Sequence, residues 1–544
     1  MQVALMGEVY RSAHCVVIWL GPQKNESDLA LDTLKNIGAE VRYDKNTINL
    51  LPAEDSTDSH WSDPEQPLPL SAREFNSIFA LYQRPYWKRL WIRQELALAR
   101  KAIVKCGNKQ LDLEMFRNAA NCIDWKKAAP GYNEELRTIL SFNLLDIVFG
   151  VLFTRPYSRY YSSIFWDLGH AQCLDPRDRL YAMRNLLPLD DMELNILPDY
   201  SLPVETVYKF AARSILSSHR SLELLQSCEF STRTLTLPSW VPDWTVQPQT
   251  FDRVQSSGSA CGWISAQIKF GSDDSLSVAG TKIVDTNMVQ ELGINNVDIS
   301  PLEMIRALRK TKPSIEDLSR PYRTGQSLLE VYSRMFFGDN VDASSWPAKF
   351  SWFTLESVMS FVDKIWSADT EQSEQDLLDD SSFFSLLSPC SKIVMGRSVI
   401  RTTNGHIGLA PNGTQEGDHI CVLLGLRVPV ILRKVPDLIS FTSKYRIVGT
   451  CYVQGLMAGE TIYRGRLPTY YNSVKHSTAI PKHIDGWRRA MLNTETEELI
   501  HNPAAILEEA GIKVESWQER PHVLEVLPET LRAEGLELED FVII

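Results

Sequence analysis

The first residue of this chain whose type and setting suggest chemistry is Glu95. Across Arg84–Gly107, residues Trp87, Leu90, Trp91, Gln94 and Leu98 recur at three- and four-residue steps. That spacing puts them on one face of a helix. Glu95 follows Trp91 by four residues and falls on the edge of the stripe. An indole there shields the carboxylate while a cleft stays within reach. Glu95 is therefore the candidate catalytic acid and Trp91 the candidate pocket wall. The alternative is a solvated helix-edge acid with core neighbours, the commoner fate of a charge beside an apolar stripe.

Other chemistries lack a foothold. The sequence contains no GxxxxGK[ST], no GxGxxG opening a helix after a strand, no HExxH and no GxSxG. Its ten histidines are scattered without metal-ligand spacing, so no metal site is expected. His419 reads as a strand or hairpin residue. Nine cysteines, odd in number and never spaced CxxC, fit a reducing cytosol better than a disulfide framework. With no export signal visible, the sequons Asn25-Glu26-Ser27 and Asn412-Gly413-Thr414 are chance matches and a cytoplasmic location is expected. A net charge of −12 argues against nucleic acid or anionic membrane as partner. The longest apolar run, Phe142–Thr154, is too short to span a bilayer and carries Asp146.

The elements that must position Glu95 can be read around it. The chain has 544 residues, 44% of them apolar, enough for two to four domains. Val3, Met6, Val9, Tyr10 and Ala13 form one helical face. Cys15–Leu20 is an unbroken apolar run ended by Gly21-Pro22, the pattern of a strand covered on both faces in a parallel α/β sheet. A helix follows over residues 23–38. Residues 40–71, with Pro52, Pro64, Pro67 and Pro69, read as a long polar surface insertion. Pro85 suits the first turn of the central helix, and Arg100 and Lys101 suit its C-terminal end. Ala102–Cys106 is a short buried strand closed by Gly107-Asn108, and Asp112 is placed to cap the next helix.

Residues 133–228 read as largely helical. In Asp175-Pro176-Arg177-Asp178-Arg179-Leu180-Tyr181-Ala182-Met183, Asp175 caps, Pro176 takes the first turn, and Leu180, Met183 and Leu187 face the core. Pro238–Trp244 alternates rigid prolines with tryptophans and reads as an extended brace. From 250 to 380 the pattern weakens, and Ser367–Ser382 reads as linker or loop. Then Val399–Thr403 and His406–Ala410 flank Asn404-Gly405, a hairpin signal. His419–Leu424, Pro429–Leu432 and Tyr445–Val453 add strands to a small antiparallel sheet or barrel. A helix over Pro503–Ala510 lies in a mixed tail. The expected division is 1–130, a helical 131–250, a variable helical or loop region 251–385, a β module 386–465, and a tail 466–544.

Several of these stretches together resemble the fungal heterokaryon incompatibility (HET) domain family. They are Gln2-Val3, Met6, Val9-Tyr10, Ala13, Val16 and Trp19-Leu20-Gly21, then Arg84-Pro85-Tyr86-Trp87, Arg89, Trp91 and Gln94-Glu95. Asp175–Ala182 and Pro238–Trp244 follow in the same order. Gly417–Leu423, Val428–Arg433 and Tyr445–Glu460 are similar to the C-terminal region common in such proteins. The resemblance implies non-self recognition between fungal individuals and programmed cell death, with a protein partner from an incompatible strain or allele, and self-association as a further option. It implies no bound cofactor.

HET domains are distantly similar to TIR domains, some of which cleave NAD with a glutamate in a Trp-x-x-x-Glu-Leu arrangement. Trp91-Ile92-Arg93-Gln94-Glu95-Leu96 stands in that arrangement. The analogy gives Glu95 a role at the nicotinamide ribose, stabilising positive charge as the glycosidic bond breaks, with NAD as substrate. It also implies a TIR-like α/β N-terminal domain with an incomplete parallel sheet, within an α+β protein overall. Family members normally begin with strands of the Tyr-x-x-x-Ser-Tyr-x-Trp-Gly and Trp-Ile-Asp-Ala-x-Cys-Ile-Asn-Gln types, which this sequence lacks. The expectation is therefore a regulatory or non-catalytic form. The alternatives are an NAD glycohydrolase and an accessory or binding protein of a biosynthetic gene cluster.

Overall fold

Helix α1, Gln2–Ser12, leads into strand β1, Val16–Trp19. The structure is a computed structural model. It describes residues 2–44, 49–56, 59–63, 65–127, 129–141, 171–187, 194, 196–246, 248–250, 258–295, 299–342, 345–346, 353–436, 443–466, 471–477, 487–518 and 523–544. The apolar run Phe142–Thr154 lies outside them. The chain divides into two units, residues 1–207 and 208–544.

In the first unit, α2 (Ser27–Glu40) is followed by a hairpin of β2 (Val41–Asp44) and β3 (Asn49–Pro52). Then come α3 (Ala72–Tyr82), α4 (Ile92–Leu98), β4 (Ala102–Cys106), β5 (Lys109–Asp112), α5 (Leu113–Lys126) and α6 (Glu134–Ser141). Local chemistry sets the boundaries. Ser71 and Glu74 form a reciprocal capping box at the start of α3, and Asp112 accepts from the Glu114 amide at the start of α5. Gly107 turns β4 into β5 at a φ of +55°, where a Cβ would be strained.

The sheet order is β1-β4-β5, with β1 parallel to β4 and β5 antiparallel to it. Val16, Ile18 and Leu20 face a core with Leu34, Phe75, Trp87, Val104 and Phe116. Trp87 stacks on Phe116 at 5.5 Å and its indole N–H donates to the Leu81 carbonyl at 3.1 Å. Each such aliphatic or aromatic side chain removed from water contributes about 1.5–3 kcal/mol.

Four expectations for this unit need correction. Among the described residues β1 pairs with β4 alone, in parallel, and Val17 and Trp19 are 51% and 49% exposed, so only one face is covered. On α1, Val9 points outward and Gly7 inward. The central helix is broken into a 3-10 turn, Pro85–Lys88, and α4. Between them the Leu90 amide donates to Gln172 O and the Gln172 amide to Lys88 O, so a neighbouring segment takes the backbone groups a continuous helix would use. Finally, residues 40–71 are not bare loop. They hold the β2–β3 hairpin and a 3-10 turn at Ser59–Trp61.

The second unit is built on one long strand. Short β6 (Ile268–Phe270) pairs with the sixteen-residue β7 (Leu276–Glu291). After β8 (Ser345–Trp346) come β9 (Arg397–Thr402), β10 (Ile407–Pro411), β11 (His419–Leu423), β12 (Val430–Val435), β13 (Lys444–Thr450) and β14 (Tyr452–Val453). β15 (Tyr471–Ser477), β16 (Trp487–Asn493) and β17 (Leu499–Ile500) join β8 in a separate sheet. β18 (Ser516–Gln518) and β19 (Val523–Glu525) form a hairpin, and β20 (Glu539–Ile543) ends the chain.

The pairings β7–β11, β11–β12, β12–β13, β13–β20 and β20–β7 close a ring. Closure leaves these strands without a free edge along the paired residues. Inside, Ile420, Ile431 and Val448 are 1% exposed or less. Asp418 is buried and takes two hydrogen bonds from Arg433, each 2.8 Å.

Here the hairpin at Asn404-Gly405 and the three later strands form as expected, and a helix covers Ala504–Glu509. Ser367–Ser382 does not form a linker. It contains the helix Glu371–Asp379, capped by Thr370, and the start of the helix Ser381–Val394, capped by Asp380. The former is held by its buried Glu374, which accepts from Arg306 at 2.8 Å and pairs with Arg309 at 2.6 Å. The barrel is also wider in sequence than expected, since β7 comes from the 251–385 stretch and β20 from the tail. Among the described residues no helix is long and apolar enough to cross a membrane.

Candidate functional site

Glu95 lies in the first turn of α4 and is half-buried. Its carboxylate accepts a 2.8 Å hydrogen bond from the Tyr86 hydroxyl, which sits on the preceding 3-10 turn. The Tyr10 phenol of α1 faces the same carboxylate and is pushed up to about 12. Burial is the main cause, followed by the negative charge of Glu95. The Tyr86 phenol is raised well above its usual range for the same reasons in the same order. The Arg89 guanidinium lies 6.0 Å from the Tyr86 ring centroid and opposes both shifts. The two phenols and one cation thus surround an acid that ties α1 to the start of α4.

Trp91 faces elsewhere. It precedes α4, and its indole N–H donates to Asp178 Oδ2 at 3.1 Å. The other oxygen of Asp178 accepts from the Tyr200 hydroxyl at 2.6 Å. The polar partners of Trp91 and Glu95 are therefore different groups. The side chains bonded to or facing Glu95 are the phenols of Tyr10 and Tyr86, with Arg89 beyond.

Gln94, between them in sequence, is fully buried and donates to the Ala182 carbonyl at 2.6 Å, while Asn185 donates to its oxygen at 3.2 Å. The Asn185 amide in turn lies against Gly7, where a Cβ would come within 2.5 Å of its Cγ. A residue larger than glycine would push α1 off this cluster.

Asp175-Pro176-Arg177-Asp178 supplies the other side of the cluster. Asp175 accepts from the Arg177 amide and from its Nε, both at 2.9 Å, and from its Nη2 at 2.8 Å. Arg177 holds that carboxyl below the usual carboxylate range. The same guanidinium donates to the carbonyls of Tyr200 and Leu202, both at 2.7 Å, and so fixes the segment carrying Tyr200. Leu180, Met183 and Leu187 are buried as the spacing predicts, but the helix proper is only Asp178–Tyr181, so Pro176 precedes it.

Three separated stretches thus meet in the first unit: α1 through Gly7 and Tyr10, the α4 region through Tyr86, Trp91, Gln94 and Glu95, and the Asp175–Asn185 segment. Sequence reasoning placed Glu95 and Trp91 but missed Tyr86 and Tyr10 beside Glu95, Asp178 as the partner of Trp91, and Asn185 as the partner of Gln94. The available signals were a glycine inside an amphipathic helix and a glutamine on an apolar stripe, each demanding a close or polar neighbour. In the second unit Pro238–Trp244 does act as a brace. Trp240 is fully buried and donates to Asp274 O at 2.9 Å, and Asp243 accepts from the amides of Thr234, Leu235 and Thr245 at 2.8–3.0 Å. Among the described residues no group of three His, Cys, Asp or Glu is placed to hold a metal ion.

The comparisons with known proteins agree with this organisation. Residues 1–95 match the family described as heterokaryon incompatibility protein (HET), and residues 368–472 match the Het-6 beta-barrel domain. A Neurospora crassa protein described as "Heterokaryon incompatibility protein 6, OR allele" is 24% identical over 559 aligned positions, covering 84% of this chain and 78% of that relative. No solved structure matches the chain. A mixed α/β unit matching the HET family, followed by a unit whose ring of strands falls partly in the Het-6 barrel match, defines the class. By these two matches the chain is similar to the HET family.

Proposed function

We propose that this protein acts in heterokaryon incompatibility, the recognition of non-self between fungal individuals. One observation carries the reading. The HET match and the Het-6 barrel match occur in a single chain, 84% of which aligns with a relative named for heterokaryon incompatibility. In this proposal the partner is a protein encoded by an incompatible strain or allele, the encounter takes place in the cytosol, and its outcome is death of the fused cell. A TIR-like reading of the first unit is supported by the parallel β1–β4 pair and by the position of Glu95 just before β4. For Glu95 itself the Tyr86 hydrogen bond and the neighbouring Tyr10 phenol favour a structural junction over a free acid. The two other readings, an NAD glycohydrolase and an accessory protein of a biosynthetic cluster, draw no support from the matched families.

The test is genetic. The gene is introduced into fungal strains that differ in their incompatibility alleles, and fused cells are scored for growth arrest and membrane permeability. Fusions should die with one allelic class and survive with another. Equal survival in every pairing, at matched protein level, would overturn the proposal.

A further inference from the structure

The hairpin between β9 and β10 buries an imidazole beside a cation. His406 is 3% exposed, its amide donates to the Thr402 hydroxyl at 2.8 Å, and its carbonyl accepts from the Thr402 amide at 3.1 Å. The ring turns to the end of β14, where Nδ1 lies 3.4 Å from the Gln454 carbonyl. A carbonyl only accepts, so the neutral ring that suits this place carries its proton on Nδ1. The Tyr322 hydroxyl donates to the same carbonyl at 2.9 Å and accepts from the Ile407 amide at 3.2 Å. Arg323, next in sequence, donates to the Asn404 carbonyl at 3.1 Å and so sets a guanidinium on the hairpin. Gln454 Nε2 donates to Gln326 Oε1 at 2.9 Å, and at Gly455 a Cβ would come within 3.0 Å of Thr324. The turn at residues 322–326 thus meets the hairpin and β14 around one buried ring.

We propose that His406 is an acid-sensitive latch: a neutral imidazole keeps residues 322–326 on the hairpin, and a protonated one releases them. A charged ring here has burial against it and the Arg323 cation beside it. Burial first and Arg323 second push the His406 pKa down to about 4 from its ordinary 6.5, against the opposing pull of the Gln454 carbonyl. The other charges around the hairpin are engaged elsewhere. Arg401, opposite Ile407 on β9, turns to the Tyr332 hydroxyl and Asp317, and Glu460 stands beyond Tyr322. The hairpin is held by a ladder of backbone bonds, whereas the turn grips it through the side chains of Tyr322 and Arg323, so the turn is the part that yields. The closed latch binds fewer protons than the open one. Closure is therefore fully favoured above pH 6.5 and is lost as pH falls toward 4. The proposal goes beyond the incompatibility reading and does not rest on it.

The experiment is amide exchange on the full chain, with each rate divided by its intrinsic value at that pH. The Ile407 amide has the Tyr322 hydroxyl as its partner and so reports the latch directly. Its protection should fall about twentyfold from about pH 7 to about pH 5, while the Leu424 amide, bonded to Ala279 O, keeps its own. His406→Gln should make Ile407 protection independent of pH, and Glu460→Gln should leave the wild-type slope intact. Arg323→Gln removes the neighbouring cation and should move the His406 ring titration, followed by NMR, upward. That readout stands even where His406→Gln does not fold. Ile407 protection that ignores pH in the wild-type chain would overturn the proposal. So would a slope that survives in His406→Gln, a slope lost in Glu460→Gln, which would place the switch on that carboxylate, or a wild-type His406 ring that titrates at its ordinary value.

Discussion

Glu95 carries two readings, a catalytic acid and a structural junction, that make different predictions. Its carboxylate takes a hydrogen bond from the Tyr86 phenol and faces that of Tyr10, so replacing it disturbs the turn before α4 and its neighbour on α1 together. Glu95→Gln keeps the shape, removes the charge and turns an N–H toward a donor. The expected cost is about 1 kcal/mol for a half-buried site, which lowers the melting temperature of a unit this size by about 2–4 °C. The acid reading predicts the opposite pattern. NAD consumption in cells would fall about a hundredfold, for a barrier change on the order of 3 kcal/mol, while the melting temperature stays put. Measuring both quantities on one pair of proteins separates the roles.

Tyr10 supplies a pH test of the same junction. Its folded pKa of about 12 lies above the ordinary value of 10.0, so its contribution is fully present below pH 10 and is lost as pH rises toward 12. Denaturant unfolding should therefore weaken over that window, and Tyr10→Phe should flatten the slope. An unchanged slope in the variant would show that Tyr10 does not hold this proton.

At the scale of elements, what could be read depended on whether the signal was local. Asn404-Gly405 demands a tight hairpin wherever it falls, and β9 and β10 formed around it. Asp112 capped α5 for the same reason. Thr370 and Asp380 misled because serine, threonine and aspartate both break helices and start them. The run Cys15–Leu20 carries no alternation, so the uncovered face of β1 was invisible until its neighbours were placed.

The insertion after β3 gives an element-scale prediction. Lys126 is 1% exposed and donates to the carbonyls of His60, Asp63 and Gln66 at 2.7, 2.6 and 2.7 Å. These are charge-assisted bonds, and they clamp the segment onto α5. Lys126→Met keeps the stem and removes three donors, at roughly 1 kcal/mol each or about 3 kcal/mol in all. Limited proteolysis should then cut within residues 53–68 well before the rest of the unit. Cleavage at the wild-type rate would show that the clamp is dispensable.

For the whole molecule, the least legible feature was the closing of the barrel, because its partners lie at opposite ends of the second unit. β20 pairs with β7 from Glu539 opposite Gly280 to Ile543 opposite Leu276, and also touches β13. No local pattern announces a strand whose partner is more than half the unit away, and contacts of that sequence separation also make the closure slow to form. The last residues are tied in further. The Ile544 amide donates to Tyr445 O and the Ile544 carbonyl accepts from Ser239, both at 2.9 Å, while Phe541 and Ile543 are fully buried. Deleting residues 539–544 removes those two side chains, on the order of 5 kcal/mol or more, and reopens two strand edges. That is comparable to the whole stability of an ordinary domain. Amide exchange on the truncated chain should therefore show Val278 and Val422 losing protection, while Ile18 and Val104 in the first unit keep theirs. Protection retained at Val278 would mean that the ring holds without its last strand. Loss at Val104 as well would mean that the two units do not fold independently.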